Sequence, residues 1–534
     1  MNAQEPTSRQ RTRTPLLATR RLIALTAALA LASGLAAGAG GAALIRNLGS
    51  GSSSPNGTTG PGGTNGTMGG GADTMQYDYS GSYSATLTAD GSDETSDSED
   101  IDASDTDANV ALARNGGTLT VSNGTLVKTG DGSNDDNCNF YGTNAIALVV
   151  GDGSTAIIDG SELTADSTGS NGVFATDSGT ALVNDTTITT TADNSRGLDA
   201  TYGGTILASA VTADTSGDHS ATAATDRGGG TVSITDSTLT TAGSGSPLLY
   251  STGDIQASGV TGTASGSQIA GMEGLNTILI NDSTLESTNT GTTGSDPIAN
   301  GVIIYQSTSG DAEAATGEHA TFQAKDSTLT SAIGSGSMFY VTNTTADVVL
   351  SNTTLDFDTD AATLLQASGN DANGWGQAGS NGATVNFTGR DQTLAGDVVA
   401  DTISTVNLYL LDGTTWTGAA SITDNASAAS GSTSDAPITV NVDGTSTWIV
   451  TDDTTISALN VADGGSVVDA DGDTVTIIAD GGTVVKGTGD VTVTVTGGYT
   501  TTVDETDDTQ LSDDIADRSA FDKQFGTSTA WSMA

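Results

Sequence analysis

Residues 179–190 read Gly-Thr-Ala-Leu-Val-Asn-Asp-Thr-Thr-Ile-Thr-Thr. Apolar and polar positions alternate, the alternation breaks at Asp185, and a β-branched residue follows three positions later. Such a stretch predicts two short strands joined by a bend. The same pattern returns at 230–241, 277–286, 321–330 and 348–356.

Another apolar patch precedes each strand pair: 172–176 aligns with 197–201, and Thr180 and Thr205 stand 25 positions apart. The aliphatic residue after each bend runs through Leu126, Leu163, Ile188, Val211, Leu239, Val260, Leu285, Leu329 and Leu355, at spacings of 37, 25, 23, 28, 21, 25, 44 and 26. Three short strands per turn, at a period in the twenties, predict an all-β parallel β-helix with Gly, Asn and Asp at its corners. A dozen coils at about 4.8 Å each make a rod of roughly 55 to 70 Å. The two long spacings predict excursions from the rod, at 130–144 and 307–320.

From residue 381 the strands lengthen and carry Trp416 and Trp448, with Gly-Gly turns. This end resembles the C-terminal coils of pertactin-type autotransporter passengers. The span 110–500 resembles bacterial adhesin-like right-handed β-helix surface proteins. The resemblance implies a surface or secreted right-handed stalk whose last coils cap the helix. The chain departs from the autotransporter pattern after Tyr499, where no amphipathic strands for an outer-membrane barrel follow.

The five segments expected are 1–48, an Arg-rich start with a transmembrane or signal helix; 49–74, a flexible Gly/Ser/Thr linker; 75–380, the repeat body; 381–500, the pertactin-like coils; and 501–534, a polar tail. Residues 22–45 are an uncharged run of 24, long enough to span a bilayer. Five Arg precede it and one follows, which directs the body outward. A retained anchor and a cleaved signal peptide both fit, giving a membrane-anchored or a secreted protein. Thr-Arg-Arg-Leu-Ile at 19–23 resembles a twin-arginine signal, and an ordinary basic flank reads the same way. Residues 75–84 are expected to form the first ordered strand.

Net charge is −49, and only 9 of the 15 basic residues lie beyond position 46. That excludes a nucleic-acid partner. One cysteine, Cys138, leaves no internal disulfide. The nine carboxylates at 90–107 read as a solvated loop, with calcium the alternative. Asp-Ala-Asp-Gly-Asp at 469–473 imitates an EF-hand loop but has Thr474 at the sixth position, so it reads as a turn.

Where the repeat is irregular, Arg196, Arg227, Tyr250, Tyr305, Gln306 and Tyr340 are candidate binding residues, and Asp199, Asp226 and Glu273 candidate acids. Aromatic rings and carboxylates along one face suit sugar recognition. The same acids would serve glycoside cleavage, and a lyase would need a nearby base. Three readings stay open: an inert solvated face, a glycan-binding groove and a catalytic site. The expected partners are an extracellular glycan or a cell-surface protein, with the membrane reached through the N-terminal run and no cofactor required.

Overall fold

The computed structural model describes residues 76–307, 312, 319–429 and 431–534. The expected anchor or signal run, the linker and most of the 307–320 excursion lie outside the described residues. Among the described residues, no helix is long and apolar enough to cross a membrane.

Each coil contributes one strand to each of three stacked parallel sheets. One coil comprises Val173–Thr176 on the first face, Thr180–Asn184 on the second and Thr187–Thr190 on the third. Among the described residues the faces hold 13, 15 and 10 strands. The chain is a parallel β-helix, and register is strict: Thr180 pairs with Thr205 and Thr155, Leu182 with Leu207 and Ile157. The third face ends at Thr354–Asp356 and is replaced by a 4-stranded sheet running from Thr393–Ala395 to Ser466–Asp469. Within it Trp416 and Trp448 stack at 4.9 Å, fully buried, and their indole N–H groups donate to the Gly396 and Gly418 carbonyls at 2.9 Å. An antiparallel pair, Thr476–Ala479 with Gly482–Val485, lies near the end of the stack.

The repeated Asx-Ser/Thr has a specific cause. Asp185, Asp236, Asp282, Asp326 and Asn352 all take positive φ where the second strand turns into the third, and each is followed by Ser or Thr. Apart from Gly, Asn and Asp tolerate that left-handed conformation best. The next residue's hydroxyl brackets two coils. Ser283 Oγ donates to the Asn281 carbonyl at 2.7 Å and accepts from the Val260 N–H of the preceding coil at 3.0 Å. Corner N–H groups with no ladder partner are satisfied in this way. Inside, Ala181, Val183 and Ile188 stack in columns with no exposure. Burying each large aliphatic side chain contributes about 1.5–3 kcal/mol.

Two segments differ from their sequence expectation. Residues 76–83 form no strand, and the first one begins at Ser84. The arm instead packs tyrosines: Tyr79 stacks on Tyr141 at 5.0 Å, and Tyr141 on Tyr202 at 5.5 Å. The acidic run at 90–107 is built into the first coil as Glu94–Asp97 and Asp100–Ala103, alternating carboxylates outward with Ser96, Ile101 and Ala103 inward.

Candidate functional site

Every candidate named from the sequence lies on or beside the first face. Strand alternation sets Phe174, Asp199, Ala224, Tyr250, Gly271, Ile303 and Tyr340 in one row across successive coils. Their neighbours Val173, Ala175, Leu198 and Ala200 point into the core, so this row points outward. Glu273 and Tyr305 form part of a parallel row two residues along.

The excursion at 130–144 returns over this face as helix α1 (Asp135–Tyr141). Asn134 caps it by accepting from the Asn137 N–H, and Gly142 ends it in the left-handed conformation. Side chains of the coils fix it in place. Arg196 Nη1 donates to Asn139 Oδ1 at 2.7 Å, Thr201 Oγ1 donates to the Phe140 carbonyl at 2.9 Å, and the Arg227 guanidinium lies 3.7 Å over the Phe140 ring. Beneath it, Arg196 Nη2 donates to Asp226 Oδ2 at 3.1 Å and Nε lies 3.7 Å from Asp199 Oδ2. Arg196, Asp199 and Asp226 are 7%, 0% and 5% exposed. Burial pushes the Asp199 carboxyl well above the carboxylate range, with Arg196 opposing and Asp226 reinforcing.

An open groove lined by Arg196, Asp199 and Asp226 is therefore not what the fold builds. Those side chains form a charged cluster roofed by α1, because the excursion folds back as a helix. Cys138 on α1 is buried, which pushes its thiol up to about 11 and leaves it unreactive.

The aromatic half lies further along the stack. Glu273 Oε2 accepts from Tyr250 Oη at 3.3 Å and Tyr305 Oη at 3.2 Å, and Glu273 Oε1 accepts from Ser307 Oγ. The Tyr305 ring stacks on Trp375 at 4.3 Å. Asn343 Nδ2 holds the Trp375 segment by donating to the carbonyls of Asn370 and Trp375 at 2.9 and 3.1 Å. Gln306 Nε2 donates to the carbonyls of Ser307 and Ala312. Glu273, Gln306, Tyr340 and Trp375 are buried, whereas Tyr250 and Tyr305 are half-buried. Those two tyrosines are the candidate aromatics that reach the surface.

Asp226 stands two residues beyond Ala224 and Glu273 two beyond Gly271, and Ala224, Tyr250 and Gly271 are partners on successive coils. Two coil spacings of about 4.8 Å put their backbones about 10 Å apart, at the far limit of an inverting carboxylate pair.

The other acidic motifs are occupied locally. Asp90 pairs with Arg114 at 2.8 Å, and Asp107 accepts from the Ser133 N–H at 2.7 Å. Asp469 Oδ1 accepts from the Asp471 and Asp473 N–H groups at 3.0 and 2.9 Å, closing a turn.

Sequence reasoning passed over the second face. Residues 501–534 run back across its outward row as an ordered strap. Gln323 clips the strap through both amide atoms, donating to the Gln510 carbonyl at 3.1 Å and accepting from the Ser512 N–H at 2.7 Å. Gln256 does the same with Asp514 at 3.2 Å and Ala516 at 2.9 Å. Arg518 is buried, donating to the carbonyls of Ser233 and Ala208, both at 2.9 Å. On helix α2 (Ser519–Phe525), Phe521 fills the row formed by Ile157, Leu182 and Leu207. The signal was present: Ala-Leu-Val and Ala-Ile-Ile are three consecutive apolar residues, the mark of a strand covered on both sides. No protein-family model matches this chain, and no curated protein matches it.

Proposed function

We propose that this chain is an exported, surface-displayed, adhesin-like right-handed β-helix that holds an extracellular glycan or protein partner without performing chemistry on it. The observation that carries the reading is the fate of the acids. Asp199 and Asp226 are tied to Arg196 beneath α1, while half-buried Tyr250 and Tyr305 bring their hydroxyls to the buried Glu273 on the same sheet. Tyrosine edges beside a carboxylate offer a stacking surface and hydrogen-bond acceptors for a sugar. The uncharged run at 22–45 supplies membrane attachment if retained, or secretion if cleaved, and the linker holds the rod away from the surface. An acidic body argues against nucleic acid as the partner.

Cell fractionation together with a glycan array tests this. The expected result is recovery at the cell surface or in the medium, and binding that Tyr250→Ala and Tyr305→Ala each weaken. Recovery of the mature chain in the cytoplasm sinks the reading.

A further inference from the structure

Where the strap crosses the second face, ligand-type side chains from three separate segments meet. His319 immediately precedes the strand Ala320–Lys325, Asp347 lies on the next coil's strand Thr345–Ser351, and Asp508 belongs to the strap's short turn Asp507–Thr509. One ligand atom from each lies within 4.8 Å of the other two, and His319 Nδ1 is 2.8 Å from Asp347 Oδ2. Among the described residues this is the group of His, Cys, Asp and Glu that converges so closely.

Its surroundings are built. Asn386 Nδ2 donates to Asp347 Oδ1 at 2.8 Å, fixing the carboxylate's rotation as the outer-shell partners of metal ligands do. Arg390 holds the strap on both sides of Asp508, donating from Nη2 to Glu505 at 2.6 Å and from Nε to the Thr509 carbonyl at 2.8 Å. Arg390 also pairs with Asp412, so its charge serves acids outside the group. The His319–Asp347 contact is a hydrogen bond that an entering metal would replace, and the Asp347 and Asp508 carboxylates repel unless a cation, imidazolium or metal, lies between them.

We propose that His319, Asp347 and Asp508 bind a divalent transition metal of the zinc class, which staples the C-terminal strap to the second face. One imidazole nitrogen with two carboxylates suits zinc, manganese or cobalt better than calcium, which takes oxygen ligands alone.

The test is calorimetric titration of the full-length, untagged chain with Zn²⁺, paired with limited proteolysis of the strap. One saturable site per chain is expected, not competed by Ca²⁺ or Mg²⁺. His319→Gln and Asp508→Asn should each weaken it more than about tenfold, a loss that even outer-shell changes reach. Asp508→Asn keeps the side chain's size and removes only its charge, so the strap is expected to stay folded on the second face. Zn²⁺ should slow cleavage within 501–534 in the parent chain and not in Asp508→Asn. No saturable binding, undiminished binding by Asp508→Asn, or strap cleavage indifferent to Zn²⁺ overturns the proposal.

Discussion

The first and second faces of the coil stack solve one problem in two ways. Each carries an outward row that an ordinary one-sided sheet would leave to water, and each row is roofed over part of its length by a segment outside the repeat. On the first face the roof is local: α1 leaves the rod and returns to it, burying Arg196 between Asp199 and Asp226. On the second face the roof comes from the far end of the chain, and its contacts are spread along the strap, the Arg390–Glu505 ion pair among them. Two glutamine side chains clip its backbone, Arg518 donates to carbonyls, and Phe521 fills an apolar row. The comparison teaches that an ionisable residue breaking a solenoid repeat is first a question about what covers it.

The largest effect should come from breaking the first roof's ion cluster. Arg196→Ala leaves two carboxylates buried without their partner and is expected to cost about 3–5 kcal/mol in chemical denaturation. Asp199→Asn should cost much less, because that carboxyl is already pushed toward its neutral form. If both cost the same, the cluster is not organised around Arg196.

Next is the second roof. Phe521→Ala removes a fully buried ring and should destabilise the strap by about 3 kcal/mol, the low end for such truncations, since the strap can lift as a unit. Protease cleavage confined to 501–534 would register it, with the coils still protected.

A pH scan sharpens the contrast. Burial pushes the Asp254 carboxyl up to about 7, against its bond from Gln256, with Asp514 of the strap adding to the rise. The folded chain therefore holds this proton more tightly than the unfolded chain. The contribution is complete below about pH 4 and is lost as pH rises through about 7. Strap protection measured by hydrogen exchange should fall from pH 4 to pH 8, and Asp254→Asn should flatten that fall. The smallest expected effect is a gain at a corner. Ala210 occupies the left-handed position that Asp or Asn fills in other coils, so Ala210→Gly should stabilise by up to about 1 kcal/mol in thermal unfolding.

Much of the coil architecture was legible in the sequence because its physics is local. A corner that demands positive φ favours Asx and Gly, and a strand with one buried face imposes alternation. Both constraints recur with every coil, as at Asp185, Asp236 and Asp282. The roofs were not legible, because each depends on contacts remote in sequence. Helix α1 is 7 residues long and buries only Cys138 and Phe140, too few for a helical period. In the strap, Arg518, Phe521 and Met533 are buried within a polar stretch whose partners lie hundreds of residues away. The candidate residues were found by their irregularity, which located the right face. Irregularity could not separate Asp199, sealed beneath a helix, from Tyr250 at the surface.

The central claim is that the first-face acids hold a roof in place and that the rod binds without turnover. The direct measurement is glycan binding alongside release of reducing ends or unsaturated products, for the parent chain and for Asp199→Asn, Asp226→Asn and Glu273→Gln. The account predicts binding, no product from any of the four proteins, and loss of stability rather than of activity in the Asp226 variant. Product release by the parent chain that any of these substitutions abolishes while the fold survives would contradict it.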